Sequence, residues 1–125
     1  MLWMGAIFVV SSIPSVATPF EPFFDFSIKK ICHIAEYWIL TALLFKALRV
    51  HIPLKGRAVF TAALITTLYA CSDEWHQTFV PGREGTLRDV GIDALGVLAA
   101  SLAVVKTSKD ISPRRHGGRR VFSLT

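Results

Sequence analysis

Fifteen consecutive residues, Ala58 to Ser72, carry no charge, and the apolar run continues through Asp73, Glu74 and His76 to Val80. About 20 helical residues cross the ~30 Å hydrocarbon core of a bilayer, so this stretch is long enough to span one. Three further apolar segments flank it. Met1 to Ile13 has no charged side chain and stops at Pro14. Ile31 to Val50 carries only His33, Glu36, Lys46 and Arg49. Leu87 to Val105 is interrupted only by Arg88, Asp89 and Asp93. The chain of 125 residues is 52% hydrophobic and 18% charged, with a mean hydropathy of +0.47. That balance excludes a disordered chain and fits an ordinary soluble domain poorly. The length suits one structural unit. The first segment is short, since 13 residues rise only ~20 Å. It reads as a short span or as part of a longer helix rather than as a signal peptide cut after Ser15-Val16-Ala17, because no positive charge precedes Lys29.

The segments between are loop-like: 14–30 is rich in Pro and Phe, 51–57 holds Pro53 and Gly56, and 81–86 reads PGREGT. With four crossings, one side of the membrane collects Lys46, Arg49, Lys55, Arg57, Lys106, Lys109, Arg114, Arg115, Arg119 and Arg120. The other keeps Lys29, Lys30, Arg83 and Arg88 with eight of the nine acids. Lys and Arg mark the cytoplasmic side. The expectation is an all-α polytopic protein of the bacterial cytoplasmic membrane, with four transmembrane helices and both termini cytoplasmic. The four-helix membrane domain covers 1–105 and a basic, mobile tail covers 106–125. Juxtamembrane basic clusters meet anionic lipid, so the lipid bilayer is the expected partner and nucleic acid is not. Phe20, Phe23, Phe24 and Phe26 read as an interfacial or re-entrant segment. Cys32 and Cys71 show no metal-ligand spacing and no disulfide framework.

The ionisable residues at the outer helix ends carry the functional signal. At 100° per residue, Lys30, His33 and Tyr37 form one edge of the second span. Tyr69, Asp73, His76, Gln77 and Val80 share a stripe on the third, with Glu74 about 100° away, which makes Asp73 the inward candidate. Asp89 and Asp93 stack at i and i+4 on the fourth, and Gly96 and Ala100 continue that stripe with small residues suited to close helix contact. Ionisable groups within a membrane mark functional sites by default. The competing reading is that Lys30, Arg83 and Arg88 neutralise Asp73, Asp89 and Asp93 and tie the helix ends together.

The runs KKICHIAEYWILTALLF and LYACSDEWHQTFVPGREGTLRDVGIDALGVLAA resemble the VanZ-like family of small bacterial membrane proteins. The family pattern is K-x-x-H-x-x-x-Y, a DE-x-x-Q element, then R-x-G and D-x-x-x-[ND]-x-x-G. It falls on Lys30, His33 and Tyr37, on Asp73, Glu74 and Gln77, on Arg83 and Gly85, and on Asp89, Asp93 and Gly96. The opening LWMGAIFVVSS resembles the family's first helix, and the tail after Lys106 matches nothing in it. The resemblance implies a four-helix membrane protein and a link to glycopeptide resistance, because the family is named after a teicoplanin-resistance accessory protein; it supplies no reaction. The leading expectation is an extracytoplasmic-facing site that binds or modifies an envelope component, either a lipid-linked cell-wall intermediate or an anionic headgroup. Lys30, Arg83 and Arg88 would hold a phosphate or carboxylate. His33 or His76 beside Asp73 would move a proton. Tyr37 and Gln77 would orient the ligand, with Glu74 and Asp93 beside it, and His33, Asp73 and Asp89 are the catalytic candidates if there is turnover. No cofactor is indicated. Three alternatives stay open: a noncatalytic subunit of an envelope enzyme, a small proton-linked transporter, and a metal-dependent hydrolase using Asp73, His33, His76, Asp89 and Asp93, although no established metal-ligand motif is present.

Overall fold

The computed structural model describes residues 1–14 and 22–107, with side chains in the second helix described from Ser27 onward. Four helices and no strands occur among the described residues: α1 (Leu2–Ser11), α2 (Pro22–Leu48), α3 (Lys55–Gln77) and α4 (Leu87–Thr107). The fold of the described residues is all-helical. Ser27–Leu48 and Leu87–Thr107 are long and apolar enough to cross a membrane. α3, with 23 residues, is longer than α4 with 21, but its last turns carry Tyr69, Asp73, Glu74, His76 and Gln77. α1 has ten residues, a rise of ~15 Å.

Two boundaries differ from the sequence reading. The segment 14–30 reads as a loop, yet α2 begins at Pro22. Proline is tolerated in the first turn of a helix, where its missing N–H has no partner to lose, and no further Pro or Gly interrupts the chain until Pro53. The third segment reads as continuing to Val80, but α3 stops at Gln77. There Thr78, Phe79 and Val80 each donate to the carbonyl three residues back, tightening the helix end. The chain then reverses at Pro81-Gly82. Gly82 has φ 76°, and the Arg83 N–H donates to the Val80 carbonyl at 3.1 Å, as a Pro-Gly turn with a left-handed third residue requires. The interfacial reading of Phe20, Phe23, Phe24 and Phe26 concerns side chains outside the described residues. So does the basic tail from position 108.

α2 and α4 share the most extensive interface; α3 packs on both, and α1 touches α2 and α3 lightly. Lys30 meets Asp89 and His33 approaches Asp93, so α2 and α4 run parallel, with Lys30 level with the first turn of α4. α3 returns antiparallel between them, with the Lys55 ammonium donating to the Val105 carbonyl at its far end. The interior of α3 is a line of small residues, Ala58, Ala62, Thr66 and Ala70, running into Asp73 and Gln77. Its large side chains, Phe60, Leu64, Leu68 and Trp75, are exposed. Small residues inside let helix backbones approach closely. Gly96 shows how closely: a β-carbon there would stand 2.4 Å from the Ile34 carbonyl oxygen of α2. A core of Ile7, Tyr37, Leu40, Ala70 and Val97 lies directly beneath the polar residues.

Candidate functional site

The charged ends of α2, α3 and α4 converge at one level. Asp73, Glu74, Gln77, Asp89 and Asp93 are all buried, and Tyr37 is completely enclosed. Each residue of the α2 edge finds a carboxylate. The Lys30 ammonium donates to Asp89, His33 Nδ1 lies 3.6 Å from Asp93 Oδ1, and the Tyr37 hydroxyl donates to Asp73 Oδ2 at 3.1 Å. Helical spacing accounts for the match, because residues 30, 33 and 37 stack along one side of α2.

Asp73 is the hub of a hydrogen-bonded group. Its Oδ2 also accepts from the Ser11 hydroxyl at 2.8 Å and the Gln77 amide at 3.0 Å. Bonds to a carboxylate are charge-assisted and stronger than neutral ones, so this oxygen fastens α1, α2 and α3 together. His76 sits on the α1 side, with Nε2 3.1 Å from the Ser12 hydroxyl and its ring against Phe8. It does not join the Asp89 and Asp93 side.

Two positions differ from the sequence reading. Glu74, read as pointing away from the inward Asp73 stripe, is as buried as Asp73. α3 packs against α1 and α2 on one side and α4 on the other, so residues 100° apart both face protein. Thr86, at the entrance to α4, donates its N–H to Glu74 Oε2 at 3.3 Å. Arg83, read as an anion holder or a partner for an aspartate, donates instead to the Val10 and Ile13 carbonyls, both at 3.1 Å. A cation at a helix C-terminus satisfies orphan carbonyls and meets the negative end of the helix dipole. Of the three basic residues read as anion holders, Lys30 is thus bonded to Asp89, Arg83 closes α1, and Arg88 is exposed at the start of α4.

Three buried side-chain atoms at this level have no hydrogen-bond partner: His33 Nδ1, Asp73 Oδ1 and Asp93 Oδ2. Ligand atoms of His33, Glu74 and Asp93 all lie within 4.8 Å of one another. Unpartnered buried acceptors cost ~1–3 kcal/mol each, more when charged, so the arrangement is poised to engage a further group.

A family model described as VanZ/LLP1 matches residues 1–107, which takes in all four helices. The chain belongs to the VanZ/LLP1 family. No curated protein and no solved structure matches it.

Some residues around the VanZ/LLP1 site escape a periodicity argument. Ser11 and Ser12 stand at the end of an uncharged helix; the only signal is a pair of hydroxyls closing an apolar run. Thr86 had a clearer one. The pattern Thr86-x-x-Asp89 before an apolar segment is a helix-capping signature: the Asp89 N–H donates to Thr86 Oγ1 at 3.2 Å, and that hydroxyl donates to Asp89 Oδ2 at 2.9 Å. The cap holds Asp89 where Lys30 reaches it. Gly85 belongs to the same support, since a β-carbon there would stand 1.9 Å from the Glu74 carbonyl oxygen. Cys32 and Cys71 are free and exposed.

Proposed function

We propose that this VanZ/LLP1 chain crosses the bacterial cytoplasmic membrane four times, with both termini inside. In this reading the polar cluster lies at the outer end of the bundle and binds or modifies an envelope component. The surface supports the membrane part. Every helix exposes large apolar side chains, among them Phe8, Val9 and Val10 on α1, Ile28, Ile31 and Leu43 on α2, Phe60, Leu64 and Leu68 on α3, and Leu95, Leu98 and Leu102 on α4. Soluble monomers rarely leave contiguous apolar surface of that extent in water, whereas lipid-facing helices require it. The concentration of Lys and Arg at the opposite end supports the orientation. Labelling with an impermeant thiol reagent tests it: with Cys32 and Cys71 replaced by Ala, a cysteine at Glu84 reacts on intact cells and one at His51 reacts only after lysis. The reverse pattern refutes the orientation.

The observation that carries the site is the set of buried, unpartnered atoms on His33, Asp73 and Asp93. Helix packing alone is served by saturated bonds such as Lys30–Asp89, and leaving acceptors unsatisfied weakens it. An envelope ligand, with a lipid-linked cell-wall intermediate as the leading class, would engage them. The link to teicoplanin resistance comes with the family. Asp73→Asn and Asp93→Asn preserve side-chain size; each is expected to abolish a glycopeptide-resistance phenotype in an expressing strain while membrane-inserted protein stays near normal. A second reading, a noncatalytic partner whose polar residues only fasten helices, rests on the Lys30–Asp89 pair. It prevails if these variants lose folded protein and phenotype together.

A further inference from the structure

We propose that His33, Glu74 and Asp93 form a divalent-cation site of the Mn²⁺ or Zn²⁺ type. The proposal rests on the reading of this cluster as the working site and names what it first binds. Three helices each contribute one ligand: a ring nitrogen from α2 and carboxylate oxygens from α3 and α4, mutually within 4.8 Å. Two ligands on one tetrahedral ion, each at about 2.1 Å, lie about 3.4 Å apart, so side-chain movements of about 0.7 Å each close the site.

A second observation points to the same place. Asp93 is 1% exposed, its Oδ2 has no partner, and the facing His33 Nδ1 has none either. In a helical packing contact the imidazole and the carboxylate would pair with each other, yet His33 Nδ1 stands 3.6 Å from the nearer carboxylate oxygen, Asp93 Oδ1, short of a hydrogen bond. A cation between them satisfies both. Glu74 is already oriented by the Thr86 N–H, the kind of supporting bond that metal-binding carboxylates carry. The charge distribution agrees. Asp73, Glu74 and Asp93 are buried together while Lys30 is bonded to Asp89 and the Arg83 guanidinium to the carbonyls of α1. Buried carboxylates are retained when paired or when they coordinate metals.

The donor set selects the ion class. Imidazole suits Zn²⁺ and other transition ions, and carboxylate suits Mn²⁺, Mg²⁺ and Ca²⁺. A mixed set of one imidazole and two carboxylates favours Mn²⁺ or Zn²⁺ over Ca²⁺ and Mg²⁺, which take all-oxygen shells. A bound dication also reverses the sign of the pocket. A site lined by carboxylates repels a phosphate-bearing headgroup, whereas one holding a dication with open positions attracts it.

The test uses the full chain in detergent, stripped with a chelator and titrated with Mn²⁺ while the electron paramagnetic resonance signal of the free ion is followed. One Mn²⁺ per chain is expected, displaced by Zn²⁺ and not by equal Mg²⁺, with a rise in melting temperature on binding. His33→Gln and Asp93→Asn should each weaken binding beyond the ~10–100-fold that supporting residues carry, and His51→Gln should leave it unchanged. Absence of saturable binding to the wild-type chain overturns the proposal without any variant having to fold. Binding retained by both ligand variants, or displaced as readily by Mg²⁺, overturns it as well. The two readings fail separately: a chain that binds no Mn²⁺ yet loses its resistance phenotype on Asp73→Asn refutes the metal and keeps the envelope site, whereas site-specific binding with phenotype intact in both aspartate variants does the opposite.

Discussion

Gly91 and Gly96 lie five residues apart on α4, and replacing each by Ala separates helix packing from helix propensity. Propensity favours both changes, since Ala in a helix interior is better than Gly by about 1 kcal/mol. At Gly91 an added β-carbon meets nothing within 4 Å, so the variant keeps that gain. At Gly96 it stands 2.4 Å from the Ile34 carbonyl oxygen and 3.2 Å from both the Ile34 carbonyl carbon and the Trp38 nitrogen. All three are backbone atoms of α2 and cannot rotate away. Ordinary contact begins near 3.4 Å, so the helices must part by about 1 Å, which forfeits roughly a quarter to a half of each dispersion contact across the seam. Overpacking of this kind costs about 1–3 kcal/mol. The net expectation is a loss of up to about 2 kcal/mol for Gly96→Ala and a gain of up to about 1 kcal/mol for Gly91→Ala. Unfolding in detergent, followed by circular dichroism, measures the difference. The same displacement would move Asp93 from His33, so Gly96→Ala should also lower any Mn²⁺ affinity. Equal stability of the two variants would refute the reasoning, because nothing but the α2 backbone distinguishes them in this argument.

Two further outcomes follow from the cluster's support. Lys30 and Asp89 are 20% and 11% exposed, between the exposed and fully buried cases, so Lys30→Gln or Asp89→Asn should each cost about 2 kcal/mol. The paired variant should recover more than half of that; strictly additive losses in detergent melts would show that the ion pair contributes nothing. Thr86→Val removes the α4 cap and the hydroxyl on Asp89, for an expected loss of about 1 kcal/mol that Thr86→Ser restores. An unchanged melting temperature for Thr86→Val would contradict the capping role.

Within each helix, the sequence was informative because an α-helix fixes the angle between neighbours at 100° wherever it sits. That local rule put Lys30, His33 and Tyr37 on one edge, Asp73 with Gln77, and Asp89 with Asp93 and Gly96, and the structure aligns these stripes face to face. The family pattern was equally readable, being carried by the same spacings. What depends on how helices are rotated and which segments fold back was not. Glu74 is buried because α4 covers a face of α3 that no spacing within α3 announces as covered. Arg83 closes α1 across 70 residues of chain, and Ser11 reaches Asp73 across 62. The Pro- and Phe-rich composition of 14–30 concealed a helix start at Pro22, since turn-forming residues and the first turn of a helix favour the same amino acids. Periodicity is a property of one helix and can be read from its residues. Long-range contacts are set by the packing of several helices at once, and only the tertiary structure decides them.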